Sequence, residues 1–122
     1  MSAETNQQGL SKESADNILN TTKFKAVKRK GDFPEQFHKA LGLTSMSDVN
    51  GPFAAGCVGP QPHQRLIGGG ISDKYFLVLS EHGGFAYFTR LSLYTRADEV
   101  RCIYQGIISR KRLEEIEKAL GL

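Results

Sequence analysis

Three histidines and two cysteines are the residues of this chain best suited to acid–base or nucleophilic chemistry. They are His38, His63, His82, Cys57 and Cys102. Histidine catalysis would need two of these rings to converge with a carboxylate, and a cysteine nucleophile such as Cys57 would need a neighbouring base that stabilises its thiolate. The spacing of these residues requires neither arrangement. We therefore predict no catalytic residue, and a small hydrolase or nuclease that uses His82 or Cys57 stays as an alternative.

No metal and no cofactor are predicted from the motifs. Neither cysteine has a second Cys or a His at the spacing of a structural zinc site. The run Gly68-Gly69-Gly70 is not followed by Lys-Ser/Thr, and its spacing matches neither the Walker pattern nor the dinucleotide fingerprint. We interpret this run as a flexible joint that leads into a sheet. Two cysteines are typical of a reduced cytosolic protein, and a bridge between Cys57 and Cys102 is left open.

Basic residues are gathered in two short stretches of the sequence. The chain has 16 basic and 13 acidic residues and a formal net charge of +3. The first stretch consists of Lys23, Lys25, Lys28, Arg29 and Lys30, and the second of Arg110, Lys111 and Arg112. The predicted nucleic-acid contacts are Lys28, Arg29, Lys30, Arg110 and Lys111. Nucleic-acid binders concentrate such charge on one face. A nucleic-acid-binding domain that combines these basic patches with sheet aromatics is therefore the first alternative function.

One aromatic stretch is similar in part to a nucleic-acid-binding signature. Gly84-Phe85-Ala86-Tyr87 resembles the centre of RNP1, the signature of the RRM family of RNA-binding domains. Gly83 stands where that signature has a base, and Arg90 stands where it ends in an aromatic residue. The order of elements also differs, because the RRM begins with a strand. Core positions for Phe85 and Tyr87 are therefore the stronger interpretation.

Composition and hydropathy describe one small α+β domain. Hydrophobic residues make up 39% and charged residues 24% of 122 residues, values typical of a folded domain and unlike a disordered chain. No apolar run reaches the roughly 18–20 residues of a membrane span. Residues Met1 to Gly9 lack the apolar segment that a secretory signal contains. We predict a disordered tail over 1–9, a single α+β domain over 10–122 and a cytoplasmic location.

The helix signals predict two N-terminal helices and one C-terminal helix. Ser11 caps a predicted helix over roughly 12–23, and Ser109 caps one that ends at Leu120 before Gly121. Asp32 and Glu35 resemble a capping box, with Pro34 in the first turn. The apolar stripe that follows consists of Phe33, Phe37, Ala40 and Leu41 and stops at Gly42. A short second helix is therefore expected in this region.

The second half of the chain predicts a long loop and a three-stranded antiparallel meander. Residues 43–70 are rich in Gly and Pro and are expected to form the loop. The predicted strands are Lys74 to Ser80, Phe85 to Thr95 and Val100 to Gln105, joined by turns short enough to require hairpins. In the middle strand, the predicted core face carries Phe85, Tyr87, Thr89, Leu91 and Leu93. Phe88 and Tyr94 lie on its other face and need a separate cover.

Two segments of the chain resemble a known group of proteins. Gly69 to Phe76 and Ser80 to Tyr87 are similar to parts of small bacterial immunity-type proteins, which accompany polymorphic or contact-dependent toxins. The resemblance implies a cytosolic, non-enzymatic protein that binds and blocks one toxin domain. It covers only these two short segments and transfers no residue role. The basic balance departs from immunity proteins against nucleases and would suit a toxin with an acidic surface.

These observations lead us to predict a non-enzymatic protein-binding domain of the immunity type. Protein interfaces use tyrosine, phenylalanine and arginine as anchors, and this chain has such residues in its predicted sheet. The predicted contact residues are Tyr75, Phe88, Arg90, Tyr94 and Arg101, together with the 51–70 loop. The expected partner is a protein and possible second partners are nucleic acids, with no membrane involved.

Overall fold

A five-stranded antiparallel sheet forms the centre of the protein, with one helix near each end of the chain. The computed structural model describes residues 9–56, 59 and 61–122. The strands are β1 Lys25–Val27, β2 Gln64–Ile71, β3 Tyr75–His82, β4 Phe88–Arg96 and β5 Val100–Ile108, and they lie side by side in this order. Helix α1 spans Lys12–Thr21 and helix α2 spans Arg110–Leu120. The three-stranded meander with two N-terminal helices is therefore wrong, although the fold is α+β.

Strand β2 was not predicted from the sequence because it contains three consecutive glycines. Its Gly68-Gly69-Gly70 run pairs with Leu79, Val78 and Leu77 of β3, so it is a regular part of the sheet rather than a flexible joint. A Cβ atom on Gly69 would lie 2.2 Å from the Leu77 carbonyl oxygen and 3.0 Å from Phe33 Cζ. Glycine has low strand propensity, but here close packing requires it. The predicted 43–70 loop consequently ends where β2 begins.

The predicted second helix is a series of tight turns. Residues Lys30–Asp32, Glu35–Phe37 and Leu43–Ser45 each form a short 3₁₀ helix. Both Leu41 and Leu43 are fully buried against the same side of the sheet. In a continuous α-helix, two residues that are two positions apart point about 200° away from each other. The chain buries both leucines on the same side by turning at Gly42, whose φ is +74°.

The sheet is buried on both faces, and the two covers differ. Helices α1 and α2 cover one face, here called the helix face, through a cluster that includes Ala15, Leu77, Leu79, Leu91, Leu93 and Ile116. The turns of residues 28–49 cover the opposite face, here called the turn face. That cluster includes Val27, Phe33, Leu41, Leu43, Met46, Leu66, Phe76, Val78 and Tyr94. The second cover that the sequence required is therefore built from turns and short 3₁₀ helices.

The predicted alternation holds within strand β4 but fails for the residues that precede it. Leu91 and Leu93 lie in the helix-face core as predicted, and Tyr94 is buried on the turn face, where its hydroxyl donates to the Leu41 carbonyl at 3.3 Å. Phe85 and Tyr87 precede β4 and are exposed, so their assignment to the core is wrong. Burial raises the pKa of Tyr94 to about 12.

The helix signals at both ends of the chain are confirmed. The Ser11 and Ser109 hydroxyls accept hydrogen bonds from Ser14 N and Arg112 N, as N-caps do. Helix α1 ends two residues before the predicted boundary. Arg112 lies in the first turn of α2, where the helix dipole disfavours a cation, and its ion pair with Asp16 at 3.2 Å joins the two helices.

The lengths of the two helices and the position of Cys102 concern the membrane and disulfide predictions. Neither α1 nor α2, within the described part of the chain, has the length and apolar character that a membrane crossing needs. Cys102 lies on β5, with its Sγ 3.5 Å from the Tyr104 carbonyl oxygen. Its pairing with Cys57, and residues 1–8 of the predicted tail over 1–9, lie outside the described residues.

Packing around Gly69 generates a stability prediction. We expect Gly69→Ala to lower the free energy of unfolding by about 1–3 kcal/mol, because the new methyl group meets backbone that cannot easily move. Gly31→Ala is the matched control, since a Cβ there meets nothing within 4 Å, and it should change stability by less than about 0.5 kcal/mol. Chemical denaturation of both variants measures the difference. Equal stabilities would contradict the packing of β2 against β3 and Phe33.

Candidate binding surface

One end of the sheet gathers exposed aromatic side chains on a firmly held loop. At this end β2 begins, β3 ends and β4 begins, and residues 83–87 connect β3 to β4. Two backbone hydrogen bonds hold this connection. Gly84 N donates to Ala55 O at 3.0 Å, and Gly83 N donates to His63 O at 2.8 Å. A Cβ on Gly83 would lie 2.3 Å from the Ala54 carbonyl oxygen. The described part of the predicted 51–70 loop is therefore tied to the β3–β4 hairpin.

Arg65 is the centre of this connection. Its Nε donates to Glu81 Oε2 at 2.8 Å and its Nη1 donates to the Gly51 carbonyl at 2.9 Å. Its guanidinium carbon lies 4.8 Å from the centroid of the Phe53 ring. One side chain thus joins β2 to β3 through an ion pair and to the loop through a hydrogen bond and a cation–π contact.

The same ion pair also holds Tyr87 in the hairpin. The Tyr87 hydroxyl donates to Glu81 Oε1 at 2.9 Å, and its ring meets Phe53 edge to face with the centroids 6.1 Å apart. Burial of the hydroxyl and its hydrogen bond to Glu81 raise the pKa of Tyr87. Half of the Tyr87 side chain remains exposed. The ring is therefore oriented while one side of it stays open to solvent.

Large apolar groups are exposed around this hairpin. Phe85 is 103% exposed, and Ile107, which lies opposite Arg90 in the β4–β5 register, is 71% exposed. The Arg90 guanidinium carbon lies 5.5 Å from the Phe88 ring centroid. We name as the hairpin surface the five residues Phe85, Tyr87, Phe88, Arg90 and Ile107, of which Phe88, Arg90 and Ile107 lie on the turn face and Phe85 and Tyr87 lie in the β3–β4 connection. Exposed apolar groups at one end of a sheet are typical of interaction sites.

A buried serine–histidine pair lies beneath this surface. Ser80 Oγ and His82 Nε2 are 2.8 Å apart, and the His82 ring stacks on Phe88 with the centroids 4.9 Å apart. Burial lowers the pKa of His82 to about 4, and the charge of Arg90 contributes. The Glu81 carboxylate accepts hydrogen bonds from Arg65 and Tyr87. Because Ser80 is only 2% exposed and His82 6%, a substrate has no access to this pair, and we assign it a structural role.

The five predicted contact residues do not form one surface. Phe88 and Arg90 lie on the turn face at the hairpin end of the sheet. Tyr75 and Arg101 pair with Thr95 from either side at the other end. Tyr94 is 7% exposed and belongs to the core, so we leave it out of the candidate surface. The structure thus unites two of the five and adds Phe85, Tyr87 and Ile107.

The two basic stretches lie on opposite sides of the sheet. Residues 28–30 belong to the cover of the turn face, where Asp32 accepts from Lys28 N at 2.9 Å and Asp48 accepts from Lys30 N at 2.8 Å. Arg110 and Lys111 lie in the first turn of α2 over the helix face. Two patches so arranged do not make one footprint. Phe85 and Tyr87 lie in a hairpin connection, whereas the RNP1 aromatics stand on a strand.

Sequence reasoning missed Arg65, Phe53 and Glu81 as the residues that hold the hairpin. Arg65 and Phe53 fell inside the predicted loop, and the pairing of Arg65 with Glu81 depends on the register of β2 against β3. The turn prediction around residues 81–84 was the one local signal that pointed to this place. Among the described residues, no group of three or more His, Cys, Asp or Glu side chains is arranged to hold a metal ion.

The buried His82 ring generates a prediction on pH dependence. In the unfolded chain the ring takes a proton near its ordinary pKa of 6.5, whereas the folded protein keeps it neutral until about pH 4. The unfolded state therefore binds more protons in this window, and the free energy of unfolding falls as the pH drops through it. We expect the stability difference between the wild type and His82→Gln, which lacks this titration, to narrow between pH 7 and pH 4.5. Denaturant unfolding at several pH values measures the difference, and a constant difference would contradict a depressed His82 pKa.

Comparisons with known proteins assign no family to this chain. No protein-family model, no curated protein and no solved structure is significantly similar to it. The geometry of the hairpin end of the sheet and the charge around it are therefore the features that indicate a function.

Proposed function

We propose that this chain is a non-enzymatic protein-binding domain that docks its partner with the hairpin surface. The observation that carries the proposal is the complete exposure of Phe85 at a hairpin whose base is tied to the loop and to the sheet. Burial of a phenylalanine side chain at an interface contributes about 1.5–3 kcal/mol. A ring left in water on a well-held connection is a suitable anchor for a partner's apolar pocket.

The way the hairpin is held supports this proposal. Arg65, Glu81 and Tyr87 form a chain of charged and polar hydrogen bonds beneath the exposed rings. A surface that is ordered before binding loses less conformational entropy when the partner arrives. The residues beneath the surface therefore contribute to affinity through preorganisation, and the exposed rings contribute through contact.

The charge around the hairpin surface indicates a partner with acidic residues beside its apolar pocket. Glu81 is already engaged by Arg65 and Tyr87, and Glu114 lies 3.8 Å from Arg110. Arg90 forms no ion pair within the described residues, and Lys111 is exposed. The resemblance to immunity-type proteins makes a toxin domain with an acidic surface the specific partner that we propose, and a cytoplasmic location is part of the same proposal.

The two alternatives have weaker support. A nucleic-acid-binding domain would need Lys28, Arg29 and Lys30 to act together with Arg110 and Lys111, from opposite sides of the sheet. A hydrolase built on His82 would need a substrate to reach a ring that is 6% exposed. Cys57 lies outside the described residues.

The proposal predicts that Phe85→Ala weakens partner binding strongly without loss of the fold. Tagged wild type, Phe85→Ala and Phe85→Leu are used to capture proteins from a native lysate treated with nuclease and washed at high salt. We expect one stoichiometric protein on the wild type, a partial loss with Phe85→Leu and an affinity about 30-fold weaker with Phe85→Ala, which corresponds to about 2 kcal/mol. Because the ring is fully exposed, thermal unfolding of the variants should match the wild type.

Lys39→Ala is the control, since this exposed lysine belongs to the segment that covers the turn face and is not part of the hairpin surface. It should capture the same protein as the wild type. Equal capture by Phe85→Ala, or recovery of nucleic acid without a stoichiometric protein, would refute the proposal.

A further inference from the structure

A groove of about 890 Å³ opens at the end of the sheet opposite the hairpin surface. Its walls are the end of α1, the linker that leads into β1, the turn between β2 and β3, and the end of β4. Along β3 the two ends are separated by seven residue steps, or about 23 Å at ~3.3 Å per residue. A ligand in this groove therefore does not overlap the hairpin surface.

The groove concentrates the positive charge of the protein. Its lining includes four cationic side chains, Lys23, Lys25, Lys74 and Arg96, and one carboxylate, Asp73. The lining thus has a net charge of +3, which equals the formal net charge of the whole chain, so the other residues are neutral overall. A cleft lined by one sign of charge attracts ligands of the opposite sign.

These cations lack protein counter-charges. Within the described residues, none of Lys23, Lys25, Lys74 and Arg96 takes part in an ion pair, whereas Arg29, Arg65, Arg110 and Arg112 each have a carboxylate partner. The C-terminal end of α1 attracts a cation such as Lys23 through the helix dipole. Lys74 and Arg96 lie on other segments, so the helix end does not account for them.

The turn that carries Lys74 is held in place before any ligand arrives. Ser72 Oγ accepts from Tyr75 N at 2.9 Å, and Arg96 Nη1 donates to the Ser72 carbonyl at 3.0 Å. Arg96 N donates to the Lys74 carbonyl at 2.8 Å, and the Arg96 guanidinium carbon lies 5.2 Å from the Phe76 ring centroid. The backbone of Lys74 and the position of the Arg96 guanidinium group are thus fixed relative to each other.

We infer that this groove binds a phosphate-bearing polyanion with at least two phosphate groups. Cations from three separate segments surround the groove, and a ligand with charged oxygens at several points satisfies them together better than one carboxylate. The lining also offers the Asn17 amide and the Thr22 hydroxyl, which are side chains that commonly contact phosphate. The ligand's phosphates come either from a free polyphosphate or from the backbone of a single-stranded nucleic acid.

The experiment measures binding of two probes to the full chain. One probe is a fluorescein-labelled 12-nucleotide single-stranded DNA, followed by anisotropy, and the other is inorganic tripolyphosphate, followed by calorimetry. With about three phosphate contacts, we expect DNA binding to weaken about 20-fold between 50 and 200 mM salt. Lys74→Glu should weaken binding of the favoured probe by about three- to tenfold, and Asp73→Asn should strengthen it.

Lys39→Glu is the matched control, because it makes the same charge change at an exposed position that does not line the groove. Binding of DNA alone identifies a nucleic-acid backbone as the source of the phosphates. Binding of tripolyphosphate identifies a free polyphosphate as the source. Either result supports the inference.

An oligoglutamate peptide serves as a third probe that carries charge without phosphate. Absence of binding by both phosphate probes would overturn the inference, and binding of the peptide alone would do the same. So would equal losses in Lys74→Glu and Lys39→Glu. A Lys74→Gln variant with an unchanged melting temperature separates lost binding from lost fold.

Discussion

The structure depends on the burial of strand β3 from both sides. Every side chain from Phe76 to Ser80 is buried, so apolar residues point alternately into two separate cores. A sheet of this kind needs two covers, and the chain supplies a pair of helices for one face and the turns of residues 28–49 for the other. Removal of either cover would expose large side chains such as Phe76 or Leu77 to water, at a cost of about 1.5–3 kcal/mol each.

The hairpin surface lies where β3 leaves its apolar stretch and turns into β4. Beyond the apolar stretch of β3, the strand continues with Ser80, Glu81 and His82, whose polar groups pair with each other or with neighbouring strands. These pairs allow the sheet to end without unsatisfied buried groups: no buried side-chain nitrogen or oxygen of the described residues lacks a partner. At this end Glu81 accepts a hydrogen bond from Tyr87 and His82 stacks on Phe88, while Phe85 is left fully exposed.

The two functional proposals occupy opposite ends of the same rigid sheet. The hairpin surface offers apolar rings with a few arginines, which is chemistry suited to a protein partner. The groove offers cations that form no ion pair among the described residues, which is chemistry suited to phosphate. Because the groove and the hairpin surface share no residue, a loss at one end should leave the other intact, and the two proposals stand or fall separately.

The sequence by itself determined the elements whose signals are local. The Ser11 and Ser109 caps, the periodicity of both helices, the presence of a turn between β3 and β4 and the core positions of Leu91 and Leu93 all depend on neighbours within a few residues. The rest was decided by tertiary structure. The glycines of β2 follow from the close approach of Leu77 and Phe33, the turns of residues 28–49 follow from the need to bury Leu41 and Leu43 together, and the position of Arg65 follows from strand register. The pairing of Arg65 with Glu81 and the gathering of Lys23, Lys74 and Arg96 join residues far apart in the chain, so no local pattern could reveal them before the strands were aligned.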